Sequence, residues 1–181
     1  HDPAALARFL EIIDKHANRL SLLIDDLLLL SALDSGRLQL KLRALPLHPA
    51  VQEVIDELTS RATARRMTLE NAVPPGVRVQ VDGQRLHQVL LNLLDNAIKY
   101  GREGGRAVVR SSVLATGRIE VAVGDDGPGL PPDAKARVFE RFYRVDKARS
   151  SEQGGTGLGL AIVKHVVQAH GGEARVESEP D

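Results

Sequence analysis

Two asparagines and a lysine follow one another at helical spacing in the segment NLLDNAIKYG, which runs from Asn92 to Gly101. Asn92 and Asn96 are four residues apart and Lys99 comes three residues later, so a helix would place all three side chains on one face. Amide oxygens ligate hard cations, and a lysine ammonium neutralises phosphate charge. The spacing therefore suits a metal–phosphate group, although taken alone it also fits an ordinary solvent-facing helix.

An acidic pair runs directly into a glycine turn in the segment GDDGPGL, residues 124–130. Gly127 and Gly129 permit a sharp turn and a close approach of the backbone to a ligand. Asp125, at the end of a predicted strand, could accept a hydrogen bond from the exocyclic amine of a base. Asp-Gly turns are also frequent in loops that bind nothing, so this segment alone leaves both interpretations open.

Three alternating glycines, Gly155, Gly157 and Gly159, precede an apolar segment with helical periodicity. A glycine-rich turn at a helix N-terminus is suited to binding an anion. The GxGxG spacing differs from the GxGxxG of a dinucleotide fold and from the P-loop motif. The polar segment before it is either a lid over phosphates or a plain surface loop. Its basic residues are Arg141, Arg144, Lys147 and Arg149.

Composition limits the classes of protein to which the chain could belong. The 181 residues are 43% hydrophobic and 27% charged, which fits a folded globular protein. The 24 basic and 24 acidic residues cancel, so charge gives no reason to expect a nucleic-acid partner. The absence of cysteine excludes disulfides, thiolate metal sites and cysteine nucleophiles.

A heptad pattern predicts one long helix over residues 2–35, capped by Asp2 and ended by Ser35 and Gly36. The seam comprises Leu6, Leu10, Ile13, Ala17, Leu20, Ile24, Leu27 and Ser31. A second apolar strip lies beside the seam, so the helix is expected to need more than one partner, as in a four-helix bundle. Packing against its own domain is the alternative.

The rest of the chain predicts interspersed helices and strands. Strands are expected at Leu38–Leu42, Thr68–Asn71, Val77–Val81, Ala107–Val113, Arg118–Val123 and Ala174–Glu177, and helices at Val51–Ala62, Gln84–Tyr100 and Leu158–His170. A turn near Thr116 and Gly117 would join two of the strands as a hairpin. Strands in hairpin order among helices favour an α+β two-layer sandwich over a doubly wound parallel sheet.

Together, the motifs closely resemble those of the ATP-binding domain of sensor histidine kinases in order and spacing. Asn92–Gly101 matches the N box, Asp125–Gly129 the first glycine box, Phe139–Phe142 the F box, and Gly155–Leu160 the second glycine box. The resemblance implies the α+β sandwich of the histidine-kinase/gyrase/Hsp90 ATPase type, preceded by one long bundle helix. It divides the chain into a bundle helix at 1–36 and a catalytic domain at 37–181, whose last strand is expected to be missing.

The resemblance also implies roles in binding Mg-ATP. Asn96 would ligate Mg²⁺, with Asn92 beside it near the γ-phosphate. Lys99 would contact phosphate, and Tyr100 would lie near the adenine or the ribose. Asp125 would accept a hydrogen bond from the adenine amine and so select ATP over GTP. The other nucleotide-binding residues implied are Gly127, Gly129, Gly155, Thr156, Gly157, Leu158 and Gly159.

The family's phosphorylated histidine lies on the first bundle helix, in a run such as HELRTPL, and no such run occurs here. That histidine is therefore expected in a preceding part of a longer bacterial sensor kinase, which would pass the phosphoryl group to a response regulator. The resemblance further implies a homodimer through the heptad helix, a cytoplasmic location, and a parent attached to the inner membrane. Phe139 and Phe142 would anchor the lid to the domain.

Two related functions are the alternatives. An ATPase of the gyrase, Hsp90 and MutL type would carry a water-activating glutamate on the N-box helix, and the segment Asn92–Gly101 has none. A regulatory ATP-binding module without chemistry, such as an anti-sigma kinase or a degenerate receptor, would keep the same fold. The presence of Asn96, Asp125 and the glycines argues against degeneracy.

Overall fold

The structure is a computed structural model that describes residues 3–145 and 155–179, with side chains from residue 6. Its helices are α1 (Pro3–Asp34), α2 (Leu47–Ala64), α3 (Gly83–Tyr100), α4 (Pro132–Lys135) and α5 (Gly159–Ala169). Its strands are β1 (Arg43–Pro46), β2 (Thr68–Asn71), β3 (Arg78–Val81), β4 (Arg106–Val113) and β5 (Ile119–Asp125). The predicted cap Asp2 lies outside the described residues.

Two sheets and the helices packed on them form the α+β fold that the sequence predicts. Strands β1 and β3 pair antiparallel, while β4 lies between parallel β2 and antiparallel β5. Helices α2 and α3 bury one face each against this framework, in a core that includes Leu47, Val54, Leu58, Leu90, Leu94 and Val109. Because α3 contributes to this core along its length, its polar residues are held in fixed positions.

Asp82 fixes the start of α3. Its Oδ1 accepts hydrogen bonds from the backbone N–H groups of Gln84 (3.1 Å) and Arg85 (3.2 Å), as expected of a helix N-cap. Its Oδ2 accepts the N–H of Lys41 at 2.9 Å, and its own N–H donates to His170 Nε2 at 3.1 Å. The carboxylate of this buried residue therefore joins the segment after α1 to the start of α3, and its backbone N–H adds the end of α5.

Helix α1 packs on α5 through its C-terminal part. Leu29 and Leu30 are buried against Leu158, Ile162 and Val166. Towards the N-terminus the apolar side chains of α1 are exposed: Leu6, Phe9, Leu10, Ile12, Ile13, Leu20, Leu22 and Ile24. The long helix is thus confirmed, and it packs against its own domain at one end while most of the heptad face stays uncovered. No helix among the described residues combines the length and apolarity needed to span a bilayer.

The predicted strand at Leu38–Leu42 is wrong in position, because the strand is β1, Arg43–Pro46. Arg43 pairs with Val81 at the end of β3, and the next residue there is the helix cap Asp82. The Asp82 side chain, rather than a strand backbone, takes the N–H of Lys41. Leu38, Leu40 and Leu42 precede the β1–β3 ladder because the chain that would pair with them, beyond Val81, already belongs to α3 and its cap.

The predicted final strand, Ala174–Glu177, does not form, since residues 172–179 carry no strand. Side chains connect this segment to the rest of the domain instead. Ser178 Oγ accepts the N–H of Leu130 at 2.8 Å, and Arg175 pairs with Glu120 of β5. A strand requires a backbone ladder, and among the described residues β5 is paired only with β4.

Candidate functional site

Helices α3 and α5 meet at Asn92 and Gly159. A Cβ atom added to Gly159 would lie 3.3 Å from Asn92 Oδ1, tighter than ordinary van der Waals contact. Asn92 Nδ2 is buried and has no hydrogen-bond partner among the described residues. Since buried amide groups are almost always paired, this amide marks a place where a polar ligand would complete the structure.

Lys99 is engaged by a carboxylate one turn before it on the same helix. Its Nζ lies 2.6 Å from Asp95 Oδ2, and the two side chains are only 21% and 18% exposed. Arg61 of α2 contacts the other oxygen of the same carboxylate. An i, i+4 Asp–Lys pair is visible in the sequence, so Asp95 could have been found from spacing, whereas Arg61 could not.

Asp125 ends β5 and shapes the turn that follows. Its Oδ1 accepts the N–H of Gly127 at 2.8 Å, while the side chain remains exposed. Gly127 also lies against the end of α3, because a Cβ there would be 3.4 Å from the Tyr100 carbonyl oxygen and from Gly101 Cα. Gly129 has a φ of +73°, a left-handed conformation that favours glycine. The glycine turn thus lies beside the last residues of the asparagine helix.

The second acidic residue of this pair has a structural role. Asp126 Oδ2 accepts the N–H of Arg106 at 2.9 Å and so holds the turn at the start of β4. A Cβ on Gly105 would collide with its other oxygen. Asp126 therefore holds the turn to β4, whereas Asp125 accepts a hydrogen bond within the turn itself.

Tyr100 is the half-covered last residue of α3. Burial raises the pKa of its phenol above the ordinary value, the guanidinium of Arg144 lowers that pKa, and Asp95 raises it. Arg144 therefore lies close enough to Tyr100 for its charge to act on the phenol. Arg144 thus lies at the same end of α3 as the glycine turn, while Lys147 and Arg149 of the predicted lid lie outside the described residues.

The GxGxG stretch is joined to the F box by backbone contacts. Phe142 N–H donates to the Gly157 carbonyl at 2.9 Å, and a Cβ on Gly157 would lie 2.9 Å from Phe142 Cα. The side chain of Phe142 is 58% exposed, so this contact is made by its backbone. Residues 146–154 of the lid that Phe139 and Phe142 were expected to anchor lie outside the described residues, so that expectation stays a prediction. Phe139 is half-buried, and the neighbouring Val138 is fully buried.

Helix α5 begins immediately after this contact. Thr156 Oγ1 accepts the N–H of Leu158 at 3.2 Å, and Leu158 is buried beneath the turn. The N-cap position itself supplies no side-chain hydrogen bond. The first N–H groups of a helix have no partner within it, so the start of α5 keeps donors for an anion.

Helix α1 reaches both the GxGxG stretch and the F box. Arg19 donates to the carbonyl of Gly155 at 3.3 Å. Asp34 accepts a hydrogen bond from Arg141 at 2.6 Å and lies 3.3 Å from His165 of α5. The Arg141 guanidinium is the main cause that holds the pKa of Asp34 below its ordinary value.

A cavity of about 360 Å³ lies between the glycine turn and residues 177–179. Asp125, Gly127 and Gly129 line it together with the end of β5. A larger groove of about 880 Å³ lies between the starts of α2 and α3, and no predicted site residue lines it. Of the residues predicted from sequence, Asn92 thus lies at the start of α5, Tyr100 lies beside the glycine turn, and Lys99 is paired with Asp95.

The donor set constrains which metal could bind. Among the described residues, no three histidines, aspartates or glutamates are grouped as metal ligands. The side chains of Asn92 and Asn96 offer amide oxygens from successive turns of α3, and neutral oxygen donors suit a hard cation that keeps water and phosphate as its other ligands. The residues present therefore fit a magnesium ion that arrives bound to phosphate.

Comparison with known proteins shows which family this chain resembles. The family model for histidine kinase-, DNA gyrase B-, and HSP90-like ATPases matches residues 81–181. The sensor-like histidine kinase SenX3 of Mycolicibacterium smegmatis is 40% identical over 179 residues, which are 99% of this chain and 46% of SenX3. This chain therefore spans about half the length of that relative.

Two solved structures are similar over most of the chain. Full-length ShkA in complex with AMPPNP has a TM-score of 0.83 at 31% identity and covers 96% of this chain, which matches 36% of ShkA. The mycobacterial sensor histidine kinase MprB has a TM-score of 0.65 at 36% identity, and the match covers 75% of this chain and 85% of the MprB chain.

Proposed function

Because this chain belongs to the family of histidine kinase-, DNA gyrase B- and HSP90-like ATPases and has the catalytic ATP-binding fold of a histidine kinase, we propose that it binds Mg-ATP between α3, the Asp125 turn and the start of α5. The observation that carries the proposal is the double contact along α3. Gly159 lies beside Asn92 in its middle, and Gly127 lies beside the Tyr100 carbonyl at its end.

Each end of this site suits one end of the nucleotide. At the turn, the exposed carboxylate of Asp125 would accept the hydrogen bond of the adenine amine, which GTP lacks. At the start of α5, uncapped N–H groups would face the phosphates. Asn96, with Asn92 beside it, would hold the magnesium ion, whose charge would offset that of the phosphates. Lys99 would supply a further positive charge, and Tyr100 would border the base or ribose.

We further propose that the whole protein is a bacterial sensor kinase that transfers the γ-phosphoryl group to a histidine and then to an aspartate of a response regulator. Such transfer needs positioning and charge neutralisation more than an elaborate base. The exposed apolar face of α1 supports assembly as a homodimer through that helix. The domain would work in the cytoplasm, with the parent attached to the inner membrane.

Titration calorimetry tests the binding proposal. The chain is titrated with ATP and GTP, with and without Mg²⁺, beside the variant Asp125→Asn and the control Asp133→Asn, an exposed aspartate of α4. We expect Mg²⁺-dependent binding of ATP in preference to GTP, unchanged in the control. In Asp125→Asn the preference should fall by about tenfold or more, since a site built to pair a polar group discriminates strongly against its absence.

A tyrosine signal gives an independent readout. The chain has no tryptophan and only two tyrosines, so Tyr143→Phe leaves Tyr100 as the sole tyrosine fluorophore. ATP should change its emission, and GTP at the same concentration should not. If the folded chain gives neither heat nor a fluorescence change with Mg-ATP, the proposed function is wrong.

A further inference from the structure

We propose that Asp95 is the counter-ion of Lys99 in the nucleotide-free protein, and that Lys99 exchanges Asp95 for phosphate when ATP binds while Arg61 keeps the carboxylate paired. The inference rests on the proposed function, and it assigns positioning roles to Asp95 and Arg61 that act through Lys99. Neither residue would touch the nucleotide.

The three charges already form a chain across two helices. Lys99 Nζ lies 2.6 Å from Asp95 Oδ2, and Arg61 of α2 contacts Asp95 Oδ1 as an ion pair without hydrogen-bond geometry. The carboxylate is thus shared, one oxygen to each cation. Its side chain is 18% exposed, that of Lys99 21%, and that of Arg61 52%. The pair on α3 is therefore largely shielded from water, while the cation on α2 is half in solvent.

Helix geometry places Lys99 between two partners. At about 100° per residue, Lys99 projects about 40° from Asp95 and about 20° from Asn92 around the axis of α3. Asp95 lies on the side that faces α2, and Asn92 on the side that faces Gly159 of α5. A rotation of the flexible lysine side chain is enough to move its ammonium from one side to the other.

The contact of Arg61 with Asp95 lowers the free-energy cost of the exchange. Removing one partner of a largely buried ion pair leaves the other charge unpaired, which is strongly unfavourable. Because Arg61 remains on Asp95 when Lys99 turns away, the carboxylate keeps a partner throughout. The phosphate therefore competes with a carboxylate that is already partly neutralised, and the strength of that competition sets part of the affinity for ATP.

Opposite effects of two variants test this exchange. Asp95→Asn frees Lys99 from its competitor, so Mg-ATP should bind about two- to tenfold more tightly. Arg61→Gln leaves the full carboxylate charge to Lys99, so binding should weaken by a similar factor. A purely structural role would make both variants weaken binding. The control Asp56→Asn removes a carboxylate of α2 that accepts a hydrogen bond from Gln52 and, among the described residues, forms no ion pair with Lys99.

A double-mutant cycle tests whether Asp95 acts on ATP binding through Lys99. Lys99→Met should weaken ATP binding, and adding Asp95→Asn to it should produce no further change, because the competition no longer exists. Calorimetry with Mg-ATP measures all variants, with circular dichroism as the check of folding. If Asp95→Asn binds like the unmodified chain or more weakly, or if its effect persists with Met at position 99, the inference is overturned. Absence of binding by the unmodified chain would instead overturn the proposed function and the inference with it.

Discussion

Gly157 and Phe142 are joined backbone to backbone, with a 2.9 Å hydrogen bond from Phe142 N–H to the Gly157 carbonyl and no room for a Cβ on the glycine. The glycine has a φ of +73° and Phe142 one of +62°. A left-handed conformation at a phenylalanine is unfavourable, so surrounding contacts must hold it. This link couples the F box to the start of α5, where the phosphates are proposed to bind.

The first prediction concerns this contact. Gly157→Ala should lower both stability and ATP affinity, because the new methyl group would collide with the Phe142 backbone at 2.9 Å. Gly117→Ala is the matched control, since Gly117 has a φ of +76° but open space around its Cβ position. Both variants incur about 1–2 kcal/mol of backbone strain, and only Gly157→Ala should incur a further 1–3 kcal/mol or so from the collision. Urea unfolding and calorimetry measure the difference, and equal losses in the two variants would contradict the contact.

The second prediction concerns Asp82. Its pKa is lowered, chiefly by the N–H of Lys41 and also by those of Arg85 and Gln84, with burial opposing. Asp82→Asn should destabilise the chain at neutral pH by about 1 kcal/mol, the usual value of a helix cap. A depressed folded-state pKa stabilises the protein above the unfolded-state value of about 3.8, and the effect is lost as pH falls through the lower folded-state value.

Urea unfolding from pH 7 down to pH 3 tests this sign. The stability gap between the unmodified chain and Asp82→Asn should be constant at the upper end and should shrink below about pH 4. Asp56→Asn, at an exposed carboxylate of α2, serves as the control with little effect at any pH. A gap that widens as the pH falls would show that the carboxylate is not stabilised in its charged form.

The third prediction concerns the packing of α1 on α5. Leu30 is 1% exposed among Leu158, Ile162 and Val166, and Leu28 on the same helix is 64% exposed. Leu30→Ala should therefore cost about 2–5 kcal/mol in the free energy of unfolding, and Leu28→Ala less than about 0.5 kcal/mol. Measurement at several chain concentrations separates folding from association. Similar losses in both variants would mean that α1 does not pack on α5 in solution.

Elements with local signals were predictable from the sequence. Helix α3 was expected at Gln84–Tyr100 and is found at Gly83–Tyr100, because its apolar periodicity lies within the segment itself. The hairpin of β4 and β5 likewise depends on neighbours in sequence. The strand expected at Leu38–Leu42 failed because a strand depends on its partner, and β3 ends where Asp82 begins a helix.

In the candidate site, too, the residue types were predictable from the sequence and the contacts between them were not. Asn92, Asp125 and the glycines were identified by type and order, and their roles in binding stay predictions. Which atoms meet was not readable from the sequence: that Gly127 lies on the end of α3, or that Arg61 shares the carboxylate of Asp95, follows from long-range packing. The sequence drew attention to Phe142 through the F box, but that its backbone would bond to Gly157 also follows from long-range packing.

The fourth prediction concerns association through α1. Ile13 and Leu20 are 57% and 59% exposed on a heptad seam, and an uncovered apolar face of this length favours a second copy of the same helix. Ile13→Glu combined with Leu20→Glu should shift the chain from dimer to monomer in sedimentation equilibrium without changing the unfolding of the catalytic domain. Val113→Glu is the control, since Val113 is 72% exposed at the hairpin between β4 and β5 and lies off the seam. If the double variant and the control sediment alike, α1 is not the surface through which the chain associates.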